Sequence, residues 1–77
     1  MTTTVSYLAI LRDGRHLSGS ATYQLAPLQS FDRLREMIIR DVRPHRADVE
    51  TLYYATGHEH QRYSGRETRE VFFGDEP

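Results

Sequence analysis

Two histidines separated by one residue, His58 and His60, form the most metal-like pattern in the chain. On an extended strand, this spacing places both imidazoles on one face, where neutral rings can bind zinc, nickel or copper. A stable site needs a third and usually a fourth ligand, which would have to come from His16, His45 or Glu67. Nothing in the spacing brings these residues in, so we predict a solvated loop with two exposed histidines here, with no metal and no other cofactor. A pH-sensitive loop is the milder functional alternative.

Residue patterns for nucleophilic catalysis are missing from the sequence. The chain has no cysteine and no Gly-x-Ser-x-Gly sequence, so the sequence contains no recognisable nucleophile that a catalytic base could activate. Residues 14–20 superficially resemble a phosphate-binding loop, but they lack the lysine and precede a strand rather than a helix. The acids Asp75 and Glu76 lie in a C-terminal tail, residues 75–77, that we expect to be frayed. We therefore predict that the protein is not an enzyme.

All ten cationic side chains are arginine. Guanidinium groups pair with carboxylates or phosphates and stack on aromatic rings, and none can act as a Schiff-base lysine. Five arginines lie within residues 33–46, and with Tyr53 and Tyr54 they raise an RNA- or DNA-binding alternative. However, the net charge is -1 and the pI about 6.4, whereas nucleic-acid binders typically have a pI above about 9. Nucleic acid is therefore the second choice of partner.

Hydrophobic periodicity predicts the elements that position these residues. An Asp-Gly pair at residues 13–14 predicts a hairpin turn, and an apolar stripe ending before Pro44 predicts a helix. The predicted strands cover residues 5–11, 16–25, 49–56 and 69–73, the helix covers 31–42, and a polar loop covers 57–66. This β-β-α-β-β order predicts an α+β fold, with one helix packed on one face of a small four-stranded, mainly antiparallel sheet. Ubiquitin-like β-grasp folds share the order, so a β-grasp-like layout is one arrangement, although no sequence motif ties the chain to that family.

The length of 77 residues predicts one small domain, residues 1–77. The apolar run over residues 7–11 is too short for a signal peptide, which needs about 7–15 apolar residues, or for a membrane span of about 20. We therefore expect a cytoplasmic protein without membrane association. Because disulfides are excluded, stability must come from core packing or from a partner.

The first predicted strand is apolar on both faces, so its pairing decides what is exposed. A three-residue loop over residues 13–15 would place Leu11 opposite Leu17 and leave only Leu8 and Ile10 outside. A two-residue turn would instead bury these two and expose four other apolar residues. We therefore favour the three-residue loop.

One helix cannot cover both faces of a sheet, so we predict an exposed apolar patch. Its members would be Leu8, Ile10, one of Tyr53 or Tyr54, and Phe72 or Phe73. Such patches commonly mark partner or self-association sites, although the 57–66 loop folding over this face is an alternative.

These patterns favour a non-catalytic protein-binding module, such as a small regulator, adaptor or inhibitor, of which a phage or another mobile element is one source. It would act on a protein partner or on a second copy of itself, through the exposed sheet face and the arginine-rich helix. The alternative is an RNA- or DNA-binding domain that uses the helix arginines and the strand tyrosines. The predicted contact residues are Leu8, Ile10, Arg33, Ile39, Arg40, Arg43, Arg46, Tyr53, Tyr54 and Phe72.

Overall fold

A computed structural model describes residues 2–24, 27–57 and 59–74, except the side chains of residues 27–29. The sheet order is β2-β1-β3-β4, and every neighbouring pair is antiparallel. The fold is α+β with a four-stranded sheet, as the sequence predicts, but two helices rather than one pack against it. The elements are strands β1 (Thr3–Leu11) and β2 (His16–Tyr23), helix α1 (Pro27–Val42), a 3-10 segment (Arg43–Asp48), strands β3 (Val49–Thr56) and β4 (Glu59–Ser64), and helix α2 (Gly65–Phe73).

The chain consists of two successive β-β-α units. The strand order places the first strand of each unit, β1 or β3, at the centre of the sheet and the second, β2 or β4, at an edge. Both hairpins turn at a glycine in the left-handed region, Gly14 with φ 89° and Gly57 with φ 75°, which costs glycine little because it has no Cβ. The two units therefore meet along the β1–β3 pair.

The C-terminal part of the fold differs from the sequence prediction. Residues 69–73 are helical rather than extended, and the predicted loop contains β4. The physical reason is a capping box, in which the Glu67 N–H donates to Ser64 Oγ at 3.1 Å and the Ser64 N–H donates to Glu67 Oε1 at 3.5 Å. This reciprocal pair satisfies backbone donors that a helix N-terminus leaves open. A helix therefore begins where the loop was expected to continue.

The first hairpin keeps the predicted division of faces but not the predicted register. Leu17 lies opposite Ala9 rather than opposite Leu11. The loop covers residues 12–14, one position earlier than predicted, and the Gly14 N–H donates to the Leu11 carbonyl at 3.0 Å. Glycine in the left-handed region at the last loop position is the usual form of a three-residue hairpin loop. A register shift of two residues preserves which side chains share a face.

One hydrophobic core lies between the sheet and the two helices. The rings of Phe31 on α1 and Phe72 on α2 stack with their centroids 6.3 Å apart, so both helices pack on the same face of the sheet. The most deeply buried large side chains come from both β-β-α units and are Val5, Leu11, Leu34, Ile38, Val42, Val49 and Leu52.

Tyr7 connects the first hairpin to α1. Its ring lies over Gly19, where a Cβ would come within 2.7 Å of Tyr7 Cε1. Its hydroxyl donates to Asp41 Oδ2 at 3.0 Å, and Arg40 Nε donates to Oδ1 at 2.9 Å. Burial, followed by the bond to Asp41, raises the pKa of Tyr7 well above its ordinary value. The Arg40 hydrogen bond, helped by that of Tyr7, holds the pKa of Asp41 below its ordinary value.

Candidate protein interfaces

The sheet face opposite the helices, here called the outer face, is the first candidate interface. Within the described residues, no helix lies against it. Leu8 and Ile10 are half-buried there, and Leu8 lies directly opposite Tyr53 on β3. Tyr53 remains 43% exposed. With Ala55, these side chains form the apolar centre of the outer face.

Polar side chains surround the apolar centre. Of the described residues that strand pairing assigns to this face, the basic ones are His16, His60 and Arg62, and none is a carboxylate. The exposed Glu50 lies at the bulge where the β1–β3 register shifts. The serines and threonines that strand pairing assigns to the surroundings of the centre are Thr4, Ser6, Ser18, Ser20, Thr22, Thr51 and Ser64.

A shallow depression of about 280 Å³ lies where Leu8, Tyr53 and Ala55 meet His60. Pockets for drug-sized ligands occupy about 300–1,000 Å³ and enclose most of the ligand. This depression is smaller, and it forms part of an otherwise uncovered sheet face. It suits a side chain that protrudes from a protein surface.

A second cavity, here called the β2–α1 groove, separates the edge strand from the long helix. Its volume is about 430 Å³. The Arg33 guanidinium lies over the Tyr23 ring, 5.8 Å from the centroid, which is a favourable cation–π distance. Arg33 also contacts Glu36 at 3.5 Å. The groove is lined by Ser20, Ala21, Tyr23, Arg33, Glu36, Met37 and Arg40.

The predicted contact residues that are at least partly exposed do not form one surface. Leu8, Ile10 and Tyr53 share the outer face, whereas Arg33 and Arg40 line the β2–α1 groove. The remaining predicted contacts lie elsewhere: Ile39 packs partly buried against the core, and Arg43 and Arg46 lie in the 3-10 segment, where Arg46 Nη1 donates to the Arg43 carbonyl at 3.0 Å.

The expectation that Phe72 or Phe73 joins the outer face is wrong. Each side chain is only 4% exposed, because α2 turns its apolar residues toward the core. The choice between Tyr53 and Tyr54 resolves in favour of Tyr53. Tyr54 lies on the helix side and donates its hydroxyl to Tyr63 at 3.2 Å. Burial, followed by this bond, raises the pKa of Tyr54 well above its ordinary value.

Sequence reasoning missed the β2–α1 groove. Tyr23 and Met37 have the apolar spacing of ordinary core residues, and strand order alone reveals that β2 is an edge. Gly19 was the available signal, since a glycine within an alternating strand often marks the close approach of another group. That group is the Tyr7 ring.

Chemistry-bearing side chains do not converge in the described part of the chain. No three His, Asp or Glu residues in that part are grouped so that they could hold a metal ion. His16 and His60 lie on opposite edge strands, and the predicted His58 site, like Asp75 and Glu76, falls outside the described residues. Nor is any described helix long and apolar enough to cross a membrane.

In comparisons with known proteins, no family model, no curated protein sequence and no solved structure matches this chain.

Proposed function

We propose that the protein is a non-catalytic protein-binding module that docks a partner through the outer face of its sheet. The observation that carries this proposal is the apolar centre, in which Leu8 and Ile10 on β1 lie beside Tyr53 on β3. Aromatic residues are enriched at interfaces, and tyrosine is prominent among binding hot spots. Both helices pack on the opposite face, so neither covers the centre in the described part of the chain.

The surroundings of the apolar centre indicate the chemistry of the partner surface. The depression beside Leu8 and Tyr53 fits a protruding apolar side chain. His60 and Arg62 on β4 lie at one border of the face, where they would pair with carboxylates of the partner and steer its approach. A small regulator, adaptor or inhibitor acting in the cytoplasm would use such a surface.

A charge placed in the apolar centre tests the proposal. Leu8→Glu introduces a carboxylate that docking would desolvate, so we expect at least a tenfold loss of partner capture from nuclease-treated extract of the source cells. The matched control is Val71→Glu, because Val71 is 40% exposed on α2, on the helix side of the sheet. Circular dichroism melting establishes that both variants are folded. A folded Leu8→Glu variant that captures the same proteins in the same amounts would contradict the proposal.

Nucleic-acid binding is a second candidate, now restricted to the outer face. The helix arginines and Tyr53 lie on opposite sides of the sheet, so they do not form one nucleic-acid surface. The outer face itself combines Tyr53 with His60 and Arg62, and strand pairing assigns no carboxylate to its described part. Stacking on an aromatic side chain contributes about 1–3 kcal/mol per base.

The salt dependence of the affinity distinguishes protein binding from nucleic-acid binding at the outer face. A complex with a single-stranded oligonucleotide would weaken steeply between about 50 and 200 mM salt and would be lost in Tyr53→Ala. A protein complex held by the apolar centre would keep most of its affinity over the same range. Oligonucleotide binding that Tyr53→Ala does not reduce would exclude the outer face as its site.

A further inference from the structure

We propose that β2 accepts an extended acidic segment of a partner protein as an added strand, whose alternate side chains enter the β2–α1 groove. This site is separate from the outer-face proposal, because it uses the backbone edge of β2 and side chains on the helix side of the sheet. Either proposal can fail without the other.

One backbone edge of β2 has no strand partner among the described residues. The Leu11 N–H donates to the Arg15 carbonyl at 2.9 Å at the start of the β1–β2 ladder. Antiparallel pairing then alternates, so the odd-numbered residues of β2 bond to β1 and the even-numbered ones point their N–H and C=O groups away from it. These outward groups belong to Ser18, Ser20 and Thr22, with His16 at the strand end. Within the described residues, no strand pairs with this side of β2.

The sequence of β2 does not protect this edge. Natural edge strands are usually guarded by charged side chains, proline or a bulge. β2, with the sequence HLSGSATY, has no lysine, arginine, aspartate, glutamate or proline, and its pairing with β1 is regular throughout. The opposite edge, β4, carries Glu59, His60 and Arg62. Of the two edges, β2 is the one open to another strand.

The β2–α1 groove adds side-chain recognition to this open edge. A strand paired with β2 would direct alternate side chains to the helix side, between Tyr23 and Met37. Domains that bind peptides by strand addition gain affinity from main-chain bonds and specificity from pockets for alternate side chains. The edge and the groove together supply both.

Charge in the groove selects an acidic occupant. Arg33 and Arg40 line it with side chains that are 49% and 74% exposed, and Glu36 supplies the one carboxylate among the described lining residues. Arg40 also pairs through Nε with Asp41 at 2.9 Å, but Asp41 does not line the groove. An exposed ion pair at 3.5 Å, as between Arg33 and Glu36, is weak and readily exchanged. Glutamate or aspartate side chains of an added strand would meet both guanidinium groups.

A second copy of this chain fits the groove less well. Symmetric pairing of two β2 edges would place both α1 helices on the same side of the joint sheet. Arg33 and Arg40 of each copy would then line a common cleft, where like charges oppose association. An acidic segment meets these arginines with complementary charge.

The test uses the ¹⁵N-labelled full chain and two synthetic octapeptides, one alternating threonine with glutamate and one alternating threonine with lysine. We expect the glutamate peptide to bind at least tenfold more tightly, to shift the amide signals of residues 16–23, and to slow exchange of the Ser18 and Ser20 amide protons. N-methylation of alternate peptide bonds removes the main-chain donors and should abolish binding to the unchanged protein. Leu8→Glu should leave peptide binding intact, which separates this site from the outer face.

Charge reversal on α1 completes the test. Arg33→Glu should weaken binding of the glutamate peptide at least fivefold. The matched control is Arg35→Glu, because Arg35 is exposed and lies on the opposite flank of α1 at 3.6 residues per turn. The proposal is overturned by equal affinity for the two peptides, by the absence of amide shifts up to about 1 mM peptide, or by shifts confined to the outer face. Concentration-dependent protection of the β2 edge without peptide would identify a second copy as the occupant and would also overturn it.

Discussion

The hydroxyl of Tyr7 on β1 donates a hydrogen bond to Oδ2 of Asp41 near the end of α1, 3.0 Å away. The ring reaches the helix by passing over Gly19 on the neighbouring strand, where a side chain would block its path. One tyrosine thereby fixes the position of α1 above the first hairpin. Met37, which lines the β2–α1 groove, also approaches Gly19, with its Sδ 3.3 Å from the Cβ position there.

Gly19→Ala should destabilise the protein by about 1–3 kcal/mol, the usual effect of overpacking. The added methyl would lie 2.7 Å from Tyr7 Cε1, so the ring must move and strain its bond to Asp41. Urea unfolding measures the change. The control is Ser20→Ala, an exposed neighbour on the same strand, which should stay within about 0.5 kcal/mol of the wild type. Equal stabilities of the Gly19→Ala variant and the wild type would contradict the close packing.

Asp41→Asn should lower the free energy of unfolding at neutral pH by about 1 kcal/mol. It should also make the free energy of unfolding less dependent on pH in the acid range. The Arg40 and Tyr7 hydrogen bonds hold the pKa of Asp41 in the folded chain below its ordinary 3.8. The stabilisation that this carboxylate contributes is therefore complete at pH values above the pKa of Asp41 in the unfolded chain. It is lost as the pH falls through the lower pKa of Asp41 in the folded chain.

The measurement is urea unfolding of wild type and Asp41→Asn at a series of pH values from neutral to acid. Their stabilities should converge below pH 3.8. Asp32→Asn removes an exposed carboxylate from the same helix and serves as the matched control. A difference between wild type and Asp41→Asn that is constant across the whole range would disprove the linkage.

Alkaline titration should show late ionisation of Tyr7 and Tyr54. Burial, with hydrogen bonds to Asp41 and Tyr63 respectively, raises the pKa of Tyr7 and Tyr54 well above the ordinary 10.0. Folding therefore favours their neutral forms, and stability falls as the pH rises above 10.0. Tyrosinate absorbance should show two residues ionising late, together with the loss of the helical circular dichroism signal. Ionisation of all five tyrosines of the chain in a single step with the helical signal unchanged would argue against this burial.

Ser64→Ala should cost about 1 kcal/mol, because it removes the hydroxyl that accepts the Glu67 N–H. Gly65→Ala should cost more, since a Cβ there would collide with the Val49 carbonyl oxygen. Thermal unfolding of both variants measures the effects, with exposed Ser18→Ala as the control. If Ser64→Ala matched the control, the capping box would have no stabilising role.

Much of the sheet was predictable because alternation in a strand is a local property. The prediction that Leu8 and Ile10 face outward was correct even though the hairpin register was two residues off, since a shift of two preserves the faces. The C-terminal run containing Val71 was ambiguous, because a short β-branched and aromatic segment fits a buried strand or a buried helix turn. The Ser-x-x-Glu capping box at residues 64–67 would have decided for the helix.

The candidate surfaces were less predictable than the elements. Tyr53 and Tyr54 are adjacent, so they point to opposite faces, and strand pairing determines which one is exposed. The β2–α1 groove depends on β2 being an edge strand, which follows from strand order and not from any single segment. Arg33 and Tyr23 come together across the groove only after α1 has packed on the sheet.

During folding, the outer face is complete only once β1 and β3 have paired. Each hairpin closes over a short turn, whereas β1 and β3 join partners as distant in the chain as Val5 and Thr56. Such pairing forms slowly, because the intervening chain must be closed before its contacts are gained. Leu8 and Tyr53 face each other across this same pair. Binding competence at the outer face is therefore coupled to completion of the fold, and neither β-β-α unit alone presents the whole surface to a partner.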